Sequence, residues 1–139
     1  MTRKEHLLKL MQQKEKLKMR QQANTVGSLT QQVDASKSLV DRLTNLQTEN
    51  LDTDKLMTPQ SLHSRSWYGR YVAEQKELAQ SRLEFLSEEL TGARSQLAKS
   101  SNRNSILNDR FMTARSEREE DTEKRQEGLM PPRQVLPRG

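Results

Sequence analysis

The sequence predicts an all-α protein, a long antiparallel two-helix coiled-coil hairpin, and three observations lead there. The first is composition: of 139 residues, 31% are hydrophobic, 31% charged and 4% aromatic. The mean hydropathy is -1.03. That is too little apolar surface for a thick core, but a narrow seam between helices needs only about two residues in seven. The second is a strict 4-3 repeat of apolar and small residues in the second half of the chain. The third is one Pro-containing break near the middle, which separates two helical patterns. Gly (5) and Pro (4) are few, and the abundance of Gln, Leu, Lys, Arg, Glu, Ser and Ala favours helix over loop.

The first helix is predicted over about 4–51, roughly 70 Å at 1.5 Å per residue. Val26, Leu29, Val33, Ser36, Val40 and Leu43 follow 3-4 spacing, with Leu39 and Leu46 beside them. Upstream, Leu7, Leu8, Leu10, Met11, Leu17 and Met19 are spread around the helix. Gly27 weakens it locally, by about 1 kcal/mol relative to Ala.

The segment LDTDKLMTPQSLHSRS accumulates Asp, Thr and Ser around Pro59, so the chain is expected to turn over about 52–65. The second helix is predicted over about 66–126, with an alternative start at Pro59, where Thr58 reads as an N-cap and Pro59 as the first helical residue. Calling Leu83 position a, the a series is Lys76, Leu83, Leu90, Leu97, Asn104 and Phe111. The d series is Val72, Ala79, Leu86, Ala93, Ser100, Leu107 and Ala114. Such a repeat without a stutter implies a left-handed coiled coil. Its many small d residues let the neighbouring helix come close, and Asn104 trades stability for register. Gly128, Pro131 and Pro132 are expected to stop the helix. The hairpin is thus assigned to 1–127 and a flexible tail to 128–139.

Charge supports folding the helices back on each other. Residues 1–20 hold seven Lys or Arg against two Glu, and residues 117–127 hold six Asp or Glu against three Lys or Arg. In an antiparallel hairpin these stretches lie together, although exposed pairs contribute only about 0–1 kcal/mol each.

No apolar run is long enough to span a bilayer, and charge interrupts the opening Leu cluster too early for a signal-peptide core, so a soluble, unsecreted protein is expected. Zero Cys excludes disulfide and thiol chemistry, and His6 and His63 are too far apart in sequence for a local metal pair. There is no Gly-rich phosphate loop and no carboxylate beside a companion nucleophile. The expectation is a protein that is not an enzyme, with no cofactor and no metal.

Two surfaces remain as candidates. Tyr68, Tyr71, Gln75, Leu78, Arg82 and Phe85 form a stripe at positions g and c, rotated about 110° from the seam at 100° per residue. It ends at Glu89 and Gly92, with Trp67 just before it. Aromatics beside an Arg fit a partner-binding patch. Packing against the turn through Leu56, Met57 and Leu62 would account for the same stripe. The second surface is the basic set Arg3, Lys4, Lys9, Lys14, Lys16, Lys18 and Arg20. It reads either as a solvated helix face or as a dock for an acidic protein rim. Nucleic acid is disfavoured by the acidic stretch alongside and by the lack of a base-reading motif, and a basic zipper would run on without a return helix.

The layout resembles the FliJ family of flagellar export proteins and their counterparts in type III injectisomes. The residues that carry the resemblance are Trp67-Tyr68-x-x-Tyr71-Val72, followed by a heptad helix rich in Leu and Gln. The resemblance implies a two-helix stalk whose terminal end inserts into a hexameric export ATPase, which assigns the basic set to that ring. It also implies contact with the cytoplasmic domain of the export gate around the aromatic motif, which maps onto Tyr71, Gln75, Leu78 and Arg82. Handling of export chaperones is implied too, but falls on no residue here. The implied location is cytoplasmic, peripherally associated with the inner membrane through the export apparatus. As a hairpin, the chain is expected to be monomeric in isolation, whereas a structural coiled-coil scaffold, the competing class, would self-associate through the seam. A basic membrane-surface or nucleic-acid binder is the third class.

Overall fold

The structure is a computed structural model that describes residues 2–51 and 58–129. Two long helices, α1 (Arg3–Leu51) and α2 (Pro59–Leu129), pack against each other in an all-α two-helix hairpin. The core of the predicted turn at 52–57, including Leu56 and Met57, lies outside the described residues. So does most of the predicted tail, 130–139, including Pro131 and Pro132.

Both helix starts are capped by threonine. Thr2 Oγ1 accepts from the backbone N–H of Glu5 at 3.3 Å, and its carbonyl accepts from His6 N–H at 3.0 Å. Thr58 does the same for Ser61 (3.1 Å) and Leu62 (2.9 Å). Each cap satisfies N–H groups that have no partner within the helix. Pro59 sits at the first helical position, where its missing N–H costs nothing and its fixed φ already suits a helix. The expected turn through residue 65 is therefore too long: residues 59–65 are helical, and the earlier of the two starts is the observed one. At the other end α2 passes Gln126 and runs through Gly128 to Leu129. Gly128 has no positive φ, so it does not act as the expected left-handed cap.

Gly27 lies within an unbroken α1. Threonines inside the helices return their hydroxyls to the carbonyl one turn back, as Thr30 does to Val26 at 2.7 Å and Thr44 to Val40 at 2.8 Å. This satisfies the hydroxyls without interrupting the helix.

The chain divides into two compact units: a central one, Gln21–Leu97, and a terminal one formed by Met1–Arg20 with Ala98–Gly139. In the central unit Val33, Leu86 and Leu90 are buried at 5–6% exposure, with Val26, Leu29 and Leu83 packed around them. Each such side chain contributes about 1.5–3 kcal/mol by leaving water. Val72 and Ala79 continue the seam on α2, and Val40 and Leu43 continue it half-buried on α1. Lys76, an interruption in the apolar repeat, donates from Nζ to Gln47 Oε1 at 3.0 Å across the helices. Pairing of residue 33 with 86 and 90, and of 47 with 76, runs the helices antiparallel in this unit.

In the terminal unit the same 3-4 spacing holds with different chemistry. The buried or half-buried positions of α1 are Glu5, Leu8, Gln12, Glu15 and Met19. Those of α2 are Ser100, Asn104, Leu107, Phe111, Ala114 and Arg118. Arg118 Nε lies 3.1 Å from Glu5 Oε1, Arg103 Nε lies 3.5 Å from Glu15 Oε1, and Gln12 Nε2 donates to Asn108 Oδ1 at 3.0 Å. These pairs also run antiparallel. Asn104 occupies the seam as predicted, with its Oδ1 buried and without a hydrogen-bond partner, as is the Oγ of fully buried Ser100.

Candidate interaction surfaces

The aromatic stripe lies wholly within the central unit and faces solvent. Tyr68 is 38% exposed, and Tyr71, Leu78 and Phe85 are 50–65% exposed. Gln75 is half-buried beside the seam, and Arg82 is exposed. Trp67 and Tyr71, one turn apart, stack with ring centroids 5.9 Å apart and planes 8° from parallel. The stack shields only part of each ring, since Trp67 remains 66% exposed. Leu62 is itself 59% exposed. Leu56 and Met57, the other two residues expected to cover the stripe, lie outside the described residues. An exposed run of large apolar side chains costs solvation free energy unless something covers it.

The basic set lies in the terminal unit. Arg3, Lys4, Lys9, Lys14, Lys16, Lys18 and Arg20 are all exposed. The expected attraction between this set and the acidic stretch at 117–127 takes another form. Among the described residues, the ion pairs between helices join the acidic residues of α1 to arginines of α2, Glu5 to Arg118 and Glu15 to Arg103. The remaining pair, Arg115 with Glu119, is one turn apart on α2 and exposed at both partners. The reason is position on the helix: Glu5 and Glu15 fall on the seam, while the seven basic residues fall off it. The seven basic side chains are thereby left open to solvent on both flanks of the seam, interleaved with Leu7, Leu10, Met11 and Leu17, each 44–58% exposed. A cleft of about 470 Å³ beside them is lined by Lys4, Leu8, Asp109, Arg110, Thr113 and Ala114.

The polar seam of the terminal unit was not legible from apolar periodicity, yet a signal existed. Counting the spacing back from Val26 in alternating steps of four and three lands on Gln22, Met19, Glu15, Gln12, Leu8 and Glu5. These are the residues the structure turns inward.

No group of three or more His, Asp or Glu side chains among the described residues is placed to hold a metal ion. No helix among them is long and apolar enough to cross a membrane. The fold and its surfaces define a two-helix hairpin with an aromatic stripe on one compact unit and an exposed basic set on the other. In comparisons with family models, curated proteins and solved structures, no match to this chain was found.

Proposed function

We propose that this chain is a non-enzymatic component of a type III protein export apparatus of the flagellar kind. In this reading it is a stalk that inserts into the export ATPase ring and couples it to the export gate. The basic set Arg3 to Arg20 meets an acidic rim of the ring, and the stripe Tyr68 to Phe85 meets the cytoplasmic domain of the gate. The observation that carries the reading is the segregation of two exposed surfaces of different chemistry onto different compact units. A non-catalytic coupling protein needs two such separable contacts, and the sequence resemblance to the export stalk family supplies the identity of the partners.

The test is co-purification with the cognate ATPase hexamer and measurement of its turnover. The expected result is a complex that changes ATPase activity, and that weakens when Lys9, Lys14 and Lys16 are replaced by Glu. Neither binding nor a change in turnover would remove the proposal. Tyr71→Ala with Leu78→Ala is expected to weaken gate binding at unchanged helicity. The exposed apolar stripe also suits a self-associating scaffold, for which light scattering would report a dimer or larger species in place of an elongated monomer.

A further inference from the structure

The start of α1 has two faces of different character. Its seam residues, Glu5, Leu8, Gln12, Glu15 and Met19, are buried or half-buried. Leu7, Leu10, Met11 and Leu17 stay 44–58% exposed. At 3.6 residues per turn these four fall in a sector about 120° wide, centred about 140° from the seam. Arg3, Lys14 and Lys18, all exposed, fall in the same sector, and Lys4 stands at its edge. Cations and apolar side chains therefore alternate along one outward face, in the order Arg3, Leu7, Leu10, Lys14, Leu17 and Lys18.

This face of α1 carries no carboxylate. Glu5 and Glu15 are the only carboxylates among residues 1–33, and both turn inward to Arg118 and Arg103. From α2, the cleft beside Lys4 receives one charge of each sign, Arg110 and Asp109. The other carboxylates of the terminal unit belong to the acidic stretch 117–127. Because Glu5 meets Arg118, most of that stretch runs past Arg3, where α1 begins.

Several partners would use the cations, and the apolar side chains separate them. Nucleic acid would take the charges and leave the leucines in water. A second copy would bring its acidic stretch, which has no apolar side chain to cover them, and exposed ion pairs alone contribute little. A protein groove reads apolar anchors at i, i+3, i+4 and i+7. Counted from Leu7, the last of these is Lys14. A lipid surface with anionic headgroups accepts the alternation. Leu and Met enter the acyl boundary, while Lys and Arg lay their aliphatic stems among them and lift their charges to the phosphates.

We propose that the outward face of α1 from Arg3 to Lys18 docks on a bilayer containing anionic phospholipid, with the helix lying in the interface. This lipid contact is separate from the ring contact and divides the basic set: Lys9, Lys16 and Arg20 lie on the other flank, with Lys9 beside His6 and Gln13.

The full chain is sedimented with vesicles of phosphatidylcholine containing phosphatidylglycerol, and with vesicles of phosphatidylcholine alone. Binding to the anionic vesicles only is expected, falling as salt rises. Leu10→Ala with Leu17→Ala is expected to weaken it roughly tenfold at unchanged helicity. Lys14→Glu with Lys18→Glu is expected to weaken it about thirtyfold or more. Lys9→Glu with Lys16→Glu, the same change of charge on the other flank, is expected to weaken it far less. The docking surface is overturned if the chain does not sediment with the anionic vesicles. It is overturned equally if the leucine variant binds as wild type or if the two lysine variants lose binding alike, because adsorption by net charge alone gives those results. A wild-type dimer that the leucine variant dissolves, read by light scattering, would give the face to a second copy and also overturn it. Vesicle binding is measured without the ATPase, so its failure leaves the ring contact standing.

Discussion

The central and terminal units use one spacing and fill it with different chemistry. Inward positions three and four residues apart recur in both, so both units present the same kind of narrow contact between antiparallel helices. In the central unit those positions hold Val33, Leu86 and Leu90 with Val26, Leu29 and Leu83 around them, and buried Ser36 and the Gln47–Lys76 pair further along. In the terminal unit they hold Glu5, Gln12, Glu15, Ser100, Asn104 and Arg118, with Leu8, Met19, Leu107, Phe111 and Ala114 between. Apolar burial contributes stability in proportion to area. A buried ion pair or amide returns little net stability, because the desolvation of its charges offsets their attraction. The difference teaches that a heptad register can be kept by geometry while stability is concentrated in one stretch. The central unit is thus expected to hold the pairing, and the terminal unit to open more easily.

The largest effect expected is in the central seam. Leu86→Ala or Leu90→Ala should lower stability by about 2–4 kcal/mol in a urea or thermal melt, through lost burial and the cavity left behind. Leu8→Ala should cost less, about 1–2 kcal/mol, because the polar surroundings leave less apolar packing to lose. Equal losses for Leu8 and Leu86 would break the comparison. Arg118→Ala strands the fully buried Glu5 carboxylate and should cost up to about 3 kcal/mol, moderated by the partial exposure of Arg118. Replacing both, Glu5→Leu with Arg118→Leu, should be neutral or stabilising, and a loss as large as that of the single variant would mean that the pair is itself a net stabiliser.

Smaller effects sharpen the contrast. Ser100→Ala should stabilise by about 1 kcal/mol, since it removes a buried hydroxyl without a partner. Gly27→Ala should stabilise by about 0.5–1 kcal/mol, because an added Cβ there meets nothing within 4 Å and the helix is unbroken. Both read out as a rise in midpoint temperature. Amide exchange should find the protons of residues 5–19 less protected than those of residues 26–43. The reverse order would place stability in the polar seam.

Much of this architecture was legible in the sequence. The repeat from Val72 to Ala114 identified the inward face of α2, and burial of Val72, Ala79, Leu86, Leu90 and Ala114 follows it. Thr58 and Pro59 offered the observed start of α2 as the alternative to residue 66, because capping is local chemistry that one turn of chain contains entirely. The stripe, too, could be found as a set of positions, since spacing along one helix is fixed by 3.6 residues per turn. The end of α2 was less legible: Gly128 allows a left-handed cap but does not compel one, and here the helix continues.

What the sequence by itself determined, then, is the two helices, the apolar part of their seam and the existence of a second, off-seam face. Only the tertiary structure decided that Glu5, Gln12 and Glu15 point inward, because a polar side chain carries no burial signal until a partner is opposite it. Only the packing of the second helix shows Glu5 meeting Arg118 and Glu15 meeting Arg103 in place of the expected pairing between the basic set and the acidic stretch. Which residues meet depends on the direction in which one helix runs against the other, and the spacing along a single helix does not contain that direction.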